Sequence, residues 1–210
     1  MVAAACKKET LNYSARITVL NSVPDASSFD VYAGGGKLAA ATKFGTPDYY
    51  LSVPAVTDSI KWKISSRAVF DSSFVSDLPN GNDFTLLFYD SASRFKSYMI
   101  KDHWQQPASE KQGYYRFFPM IVDANVIQIK NDTGKVLISG RSFGDFQQHI
   151  ISFAVIDSFT TKLRLYNNNV LLDSIPGATI LPGKSYTIYA VGVLNGTGDK
   201  RPRFFMQEHQ

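Results

Sequence analysis

The feature of this sequence that most constrains its fold is an internal repeat. Phe44-Gly45 recurs as Phe143-Gly144, and Val69-Phe70-Asp71-Ser72 recurs as Leu171-Leu172-Asp173-Ser174. The offset between equivalent residues grows only from 99 (Phe44 to Phe143) to 102 (Val69 to Leu171). A period of this length fits a whole small domain and exceeds the roughly 20–50 residues of a solenoid unit. The chain is therefore predicted to hold a tether, a first domain, a linker and a second domain, over residues 1–13, 14–101, 102–113 and 114–208.

Both repeats show the alternation that is typical of strands with one buried face. Apolar and basic residues alternate over residues 59–64 and again over residues 161–165, with turn sequences such as Pro79-Asn80-Gly81 between such segments. Only 3 residues are Glu while 13% are aromatic, a composition that favours strands over helices. About seven short strands per repeat predict an all-β fold of two tandem immunoglobulin-like Greek-key β-sandwich domains. Trp62 is expected in the core of the first domain.

The segment between the repeats has the composition of a linker. Residues 102–113 are mostly polar and include Pro107 and Gly113. Because this linker is short, we expect the two domains to sit end to end with limited bending.

The single cysteine of the chain, Cys6, has an unusual setting. It follows Val2-Ala3-Ala4-Ala5 and precedes Lys7-Lys8. This pattern resembles the lipobox of a bacterial lipoprotein signal, in which the cysteine becomes the acylated first residue. The charged and long apolar parts of such a signal are missing, so we expect a fragment or a start site further upstream. The alternative is an ordinary exposed cysteine near a chain end.

One string in the first repeat resembles a known family. Residues 16–26, followed by Phe29-Asp30-Val31-Tyr32 and Phe44-Gly45, resemble the immunoglobulin-like module of DUF4397, a domain of unknown function. Residues 181–192 are similar to the last strand pair of that module, whereas Ile121-Val122-Asp123-Ala124-Asn125 lacks its turn, so the second copy is divergent. The resemblance implies tandem modules in a lipid-anchored envelope protein of Bacteroidota, most simply at the outer membrane. It implies no reaction, catalytic residue or cofactor.

Charge and motifs exclude several functions. The net charge of +4 is spread along the chain without a basic stripe, which argues against a nucleic-acid partner. No phosphate-binding loop occurs, and His103, His149 and His209 lie far apart in sequence. We therefore expect no catalytic residues, no metal and no cofactor. The chain is interpreted as a non-catalytic protein.

Aromatic residues are the remaining binding candidates. Tyr49-Tyr50 and Tyr114-Tyr115 would each place one ring outside if they lie on strands, and Trp104 lies in the linker. Such rings can stack on sugars, but they can equally cover the seam between domains or an edge strand. Three roles stay open for a membrane-anchored envelope protein of this kind. They are a ligand-binding or surface-spacer role, a fimbria-like structural role, and glycan binding as an accessory to polysaccharide use.

Overall fold

The structure is a computed structural model that describes residues 14–26, 28–34, 36–54, 59–68, 71–75, 78–79, 81–103, 111–145 and 153–209. Cys6 and Trp104 lie outside these residues. The first half of the chain contains strands β1 Ser14–Asn21, β2 Ser28–Ala33, β3 Gly36–Lys43, β4 Leu51–Pro54, β5 Ser59–Ile64, β6 Ser72–Val75, β7 Asp83–Tyr89 and β8 Lys96–Asp102. The second half contains β9 Gln112–Val122, β10 Ile127–Lys130, β11 Val136–Arg141, β12 Ala154–Asp157, β13 Phe159–Asn167, β14 Val170–Ile180, β15 Ser185–Val193, a 3-10 helix Gly198–Lys200 and β16 Arg203–His209.

The two halves of the chain repeat one strand order. In the first half the sheets are β4-β1-β7-β8 and β3-β2-β5-β6, and in the second they are β12-β9-β15-β16 and β11-β10-β13-β14. In each half the first strand pairs in parallel with the seventh, β1 with β7 and β9 with β15. These sheets confirm the predicted all-β fold of two tandem immunoglobulin-like sandwiches.

Each sandwich has its own apolar core between its two sheets. In the first, Trp62 is 2% exposed and its ring lies 5.6 Å from that of Phe88, which also stacks on Phe29 at 4.5 Å. In the second, Leu163 and Leu165 of β13 are buried in the equivalent core. Trp62 and Leu163 therefore both lie inside, as the alternation on their strands predicts.

A third apolar cluster joins the two sandwiches. Leu87 and Ile100 of the first sandwich pack with Met120, Tyr189 and Val191 of the second. The sheets β4-β1-β7-β8 and β12-β9-β15-β16 therefore meet face to face, and the four sheets stack in layers. We call the contact between these two inner sheets the seam.

The expected end-to-end arrangement is wrong, and the inner strands explain why. β7 and β15 are buried on both faces along almost their whole length, whereas β5 and β13 alternate between buried and more accessible positions. A strand with apolar residues on both faces needs cover on both sides. Each inner sheet obtains that second cover from the other sandwich.

Face-to-face packing predicts a compact particle in solution. For a chain of this length we expect a radius of gyration of about 17 Å by small-angle X-ray scattering. Leu87→Arg, which places a charge in the seam, should raise that value by separating the inner sheets. A wild-type distance distribution with two separate maxima would contradict the stacked arrangement.

Candidate functional site at the domain seam

A charged pair lies buried where the two inner sheets meet. Arg116 Nη1 of β9 donates a hydrogen bond to Asp102 Oδ1 of β8, and both side chains are 0% exposed. Arg116 Nη2 donates to Thr85 Oγ1 at 2.9 Å, and Arg116 Nε donates to Thr187 Oγ1 at 2.7 Å. Thr85 Oγ1 in turn donates to Asp102 Oδ2 at 2.9 Å. Buried charges are tolerated when they are paired and hydrogen-bonded, so these contacts hold the inner sheets in one register.

Aromatic rings enclose the same guanidinium. Arg116 Cζ lies 5.0 Å from the ring centroid of Phe118 and 4.8 Å from that of Phe153. Both distances are within the range of a cation–π contact. The rings thereby cover the ion pair with apolar surface that also interacts favourably with its positive charge.

Tyr50 and His209 extend this buried network towards the surface. Tyr50 Oη donates to Asp102 Oδ2 at 2.7 Å, and burial together with the Asp102 charge raises the pKa of Tyr50, so the hydroxyl stays protonated. His209 Nε2 lies 2.6 Å from Thr187 Oγ1. Burial and the Arg116 charge lower the pKa of His209 to about 3, so the imidazole is neutral at pH 7. The Tyr50 and His209 rings meet edge to face, with centroids 5.8 Å apart.

An open cleft of about 460 Å³ lies directly outside these two rings. We call it the seam cleft, because both sandwiches contribute to it. Its lining residues are Arg16, Tyr49, Tyr50 and Asp83 from the first sandwich and Gln207, Glu208 and His209 from the second.

The polar groups of the seam cleft are held in fixed orientations. Arg16 and Asp83 are register partners in the parallel pair of β1 and β7, and Arg16 Nε and Nη2 donate to the two Asp83 oxygens at 2.7 and 2.6 Å. This contact raises the pKa of Arg16, and Arg16 Cζ also lies 5.5 Å from the Tyr50 ring centroid. Gln207 Oε1 accepts from Tyr189 Oη at 2.8 Å, which leaves the Gln207 amide NH₂ as a donor. The Glu208 carboxylate lies 3.3 Å from Lys184 Nζ at the rim.

The predicted tyrosine candidates have different outcomes. Tyr49 is 88% exposed and Tyr50 is half-buried beside it, so this pair does place one ring outside. The same expectation is wrong for Tyr114 and Tyr115. Tyr114 is only 7% exposed, and Tyr115 packs against the core of the second sandwich. Both lie on β9, where Tyr114 is buried and Tyr115 is partly buried, so neither ring is exposed to the extent that Tyr49 is.

Several residues of the site were not predicted as functional. Asp102 was assigned to the linker, but it is the last residue of β8 and is buried. His209 lies just beyond the predicted second domain, which covers residues 114–208, but it ends β16 and is 4% exposed. The one available signal was the charge of Arg116 inside an otherwise aromatic and apolar segment, because such a charge requires a buried partner.

The described residues contain no group of three or more His, Cys, Asp or Glu side chains arranged to hold a metal ion. Within the same residues, no helix is long and apolar enough to cross a membrane.

The buried pair predicts a large difference between two aspartate substitutions. Asp102→Ala should cost about 3–5 kcal/mol of unfolding free energy, because it leaves the Arg116 charge buried and unpaired. Adding Arg116→Met should recover part of that loss. Asp145→Ala, which removes the exposed pair with Arg141 at 3.7 Å, should change stability by about 1 kcal/mol or less. Urea denaturation measures all three variants, and equal losses for Asp102→Ala and Asp145→Ala would refute the role of the buried pair.

Comparison with known proteins adds a family. A search of curated proteins finds no match to the chain. Among solved structures, one similar chain is a family 26 carbohydrate-binding module, CBMbc from Eubacterium rectale Amy13K, crystallised in complex with maltoheptaose. It is 10% identical, the alignment covers 93% of this chain and 97% of that chain, and the TM-score is 0.28, which is too low to indicate a common fold.

The family profile described as domain of unknown function (DUF4397) matches residues 15–130. This match covers the first sandwich from residue 15 onwards together with β9 and β10 of the second, and it does not reach residues 181–192, whose similarity to the family stays a prediction. Because the matched region is more than half of the chain, and because it contains the residues 16–26 that suggested the resemblance, this protein belongs to the DUF4397 family.

Proposed function

We propose that this chain is a non-catalytic binding protein whose seam cleft holds a sugar unit of a glycan. The observation that carries the proposal is the Tyr49 ring, 88% exposed at the mouth of a cleft whose other groups are polar. A large exposed ring offers a flat apolar face, which matches the apolar face of a pyranose ring. The polar groups beside it match the hydroxyls at the edge of the sugar.

The orientation of these polar groups supports a sugar over a purely apolar ligand. Arg16 uses Nε and Nη2 on Asp83, which leaves Nη1 as a donor, and Gln207 has its amide NH₂ available. Glu208 supplies carboxylate acceptors at the rim. Because Arg16 and Gln207 are already fixed by protein contacts, a ligand loses less free energy in ordering them.

The same contacts support binding without catalysis. The Asp83 carboxylate accepts both hydrogen bonds from Arg16, and Glu208 is paired with Lys184. Glycoside hydrolysis needs one carboxyl group that donates a proton and a second that acts on the opposite face of the sugar. Carboxylates that are paired with cations are better suited to positioning neighbouring side chains than to transferring protons.

The location of the protein is the second part of the proposal. We place it in the cell envelope of a member of the Bacteroidota, held at the outer membrane by acyl chains on Cys6. The support is the small-residue context Val2-Ala3-Ala4-Ala5-Cys6 and the family resemblance. Each buried CH₂ of an acyl chain contributes about 0.8 kcal/mol to membrane binding. A tandem arrangement of two family modules is part of the same proposal, supported by the shared strand order of the two halves.

Substitutions of Tyr49 test the sugar site. On an array of neutral glycans, followed by titration calorimetry with the best neutral oligosaccharide, Tyr49→Ala should weaken binding about three- to tenfold because the stacking face is lost. Tyr49→Phe keeps that face and should bind like wild type. Tyr166→Ala, on the outer strand β13, is the matched control and should also leave affinity unchanged. If wild type binds no neutral glycan, or if Tyr49→Ala binds equally well, the spacer or fimbria-like role replaces this proposal.

The anchor is tested in cells. With an upstream signal sequence supplied, the protein expressed in a Bacteroidota host should incorporate labelled fatty acid and sediment with membranes. Cys6→Ser should abolish both. A wild-type protein that remains unlabelled and in the supernatant would show that Cys6 is not an anchor.

A further inference from the structure

A second opening lies along the same seam, about 380 Å³ in volume. It is lined by Ser28, Ala41, Lys43, Phe44, Thr46, Asp199 and Arg203. The segment between β3 and β4 and the strand β16 contribute to this opening, and they also contribute to the seam cleft. Arg203 begins β16, and Gln207 of the seam cleft follows four residues later, which corresponds to about 13 Å of strand.

Arg203 is fixed in place by its neighbours. Its Cζ lies 5.9 Å from the Phe44 ring centroid and 5.8 Å from that of Phe205. Arg203 Nη2 donates to the backbone oxygen of Asp199 at 3.0 Å. A Cβ on Gly45 would lie 3.2 Å from Nη2, and Gly45 has a φ of +76°, so glycine permits both the turn and the close approach.

The positive charge of this opening has no acidic partner among the residues that the structure describes. Within the described ranges, no carboxylate lies within 4.0 Å of the charged nitrogens of Arg203 or Lys43, in contrast to Arg16 and Arg116. Arg203 Nε is buried and finds no acceptor in the described part of the chain. Such a donor normally has a hydrogen-bond partner, so an exception points to a missing acceptor.

The surroundings add to the positive potential. Lys200 and Arg201 precede Arg203 in sequence, and the Asp199 carboxylate is the only acidic side chain among the lining residues given above. Ser28 and Thr46 supply hydroxyl donors.

Backbone strain is a further feature of this opening. Ala41 has a φ of 54°, a conformation that is strained for alanine, and its N–H donates to Asp30 Oδ1 at 2.9 Å. Strained residues held by the fold are concentrated at binding sites.

We infer that this opening binds an anionic group, a carboxylate or a sulfate ester, carried by the glycan whose sugar unit occupies the seam cleft. This inference rests on the proposed function and narrows its ligand class to acidic glycans. A planar guanidinium donates well to a carboxylate or sulfate, and the Lys43 ammonium adds a second cation. One linear ligand that follows β16 would then contact Tyr49 at one end of its path and Arg203 at the other.

The test compares two forms of one oligosaccharide, with ionised and with methyl-esterified carboxyl groups. Titration calorimetry at low salt should show that a tetrameric oligogalacturonate binds wild type on the order of tenfold more tightly than its fully methyl-esterified form. Lys43→Gln, an exposed substitution, and Arg203→Gln should each reduce that preference several-fold. Arg94→Gln, whose side chain is 79% exposed on another part of the first sandwich, should leave it unchanged. An oligosaccharide whose only anionic groups are sulfate esters, titrated in the same way, shows which of the two anionic groups is preferred.

The outcomes separate this inference from the proposed function. If the esterified and acidic forms bind equally well, the sugar site stands and the anionic site is refuted. If Arg203→Gln lowers the melting temperature without changing the preference, and Lys43→Gln is neutral as well, Arg203 only clamps the seam and the inference is again refuted. If neither form binds wild type, the inference is refuted, while the array of neutral glycans decides separately whether the proposed function stands.

Discussion

The ion pair between Arg116 and Asp102 is the interaction on which the arrangement of this protein depends. A fully buried guanidinium is costly unless all of its donors are satisfied, and here the partners come from both sandwiches. Thr187 lies on the same sheet as Arg116, whereas Asp102 and Thr85 lie on the facing sheet. Separating the sandwiches would therefore expose the seam's apolar cluster and leave this pair without its hydrogen bonds. A shift of one inner sheet against the other would break these hydrogen bonds, so the pair favours the observed relative position.

The two repeats contribute different residues to equivalent positions of this seam. In the first sandwich Thr85 is the register partner of Thr18, whereas in the second Thr187 is the partner of Arg116. Two faces with the same strand order thus carry different polar groups. Because like charges at both positions would repel, this difference is what makes the two faces complementary.

Both candidate sites are consequences of that stacking. The seam cleft needs Arg16 and Tyr49 from one sandwich and Gln207 from the other, and the second opening needs Phe44 beside Arg203. In an end-to-end arrangement these residues would lie apart. Pockets commonly form where two domains meet, since the junction of two convex bodies leaves a concave edge. Here that edge follows β16, whose two ends carry the two groups of binding residues.

The sequence by itself determined the fold class and the inside of each sandwich. Alternation with a period of two places Trp62 and Leu163 in their cores, because a strand turns every second side chain to the same face. The sequence also predicted one exposed ring in each Tyr-Tyr pair, yet it could not tell the pair that has one, Tyr49-Tyr50, from Tyr114-Tyr115. The double-sided burial of β7 and β15 was not predicted, because Thr85 and Thr187 interrupt the apolar residues of these strands.

Only the tertiary structure decided what covers that second face. Asp102 and His209 are distant in sequence from most of their partners, and nothing local distinguishes a buried aspartate or histidine near a strand end from an exposed one. Their roles follow from long-range contacts between the two sandwiches. These contacts determine how deeply Asp102 and His209 are buried and which groups they pair with. Local periodicity reports which side of a strand is apolar, whereas the identity of the surface packed against it depends on the whole fold.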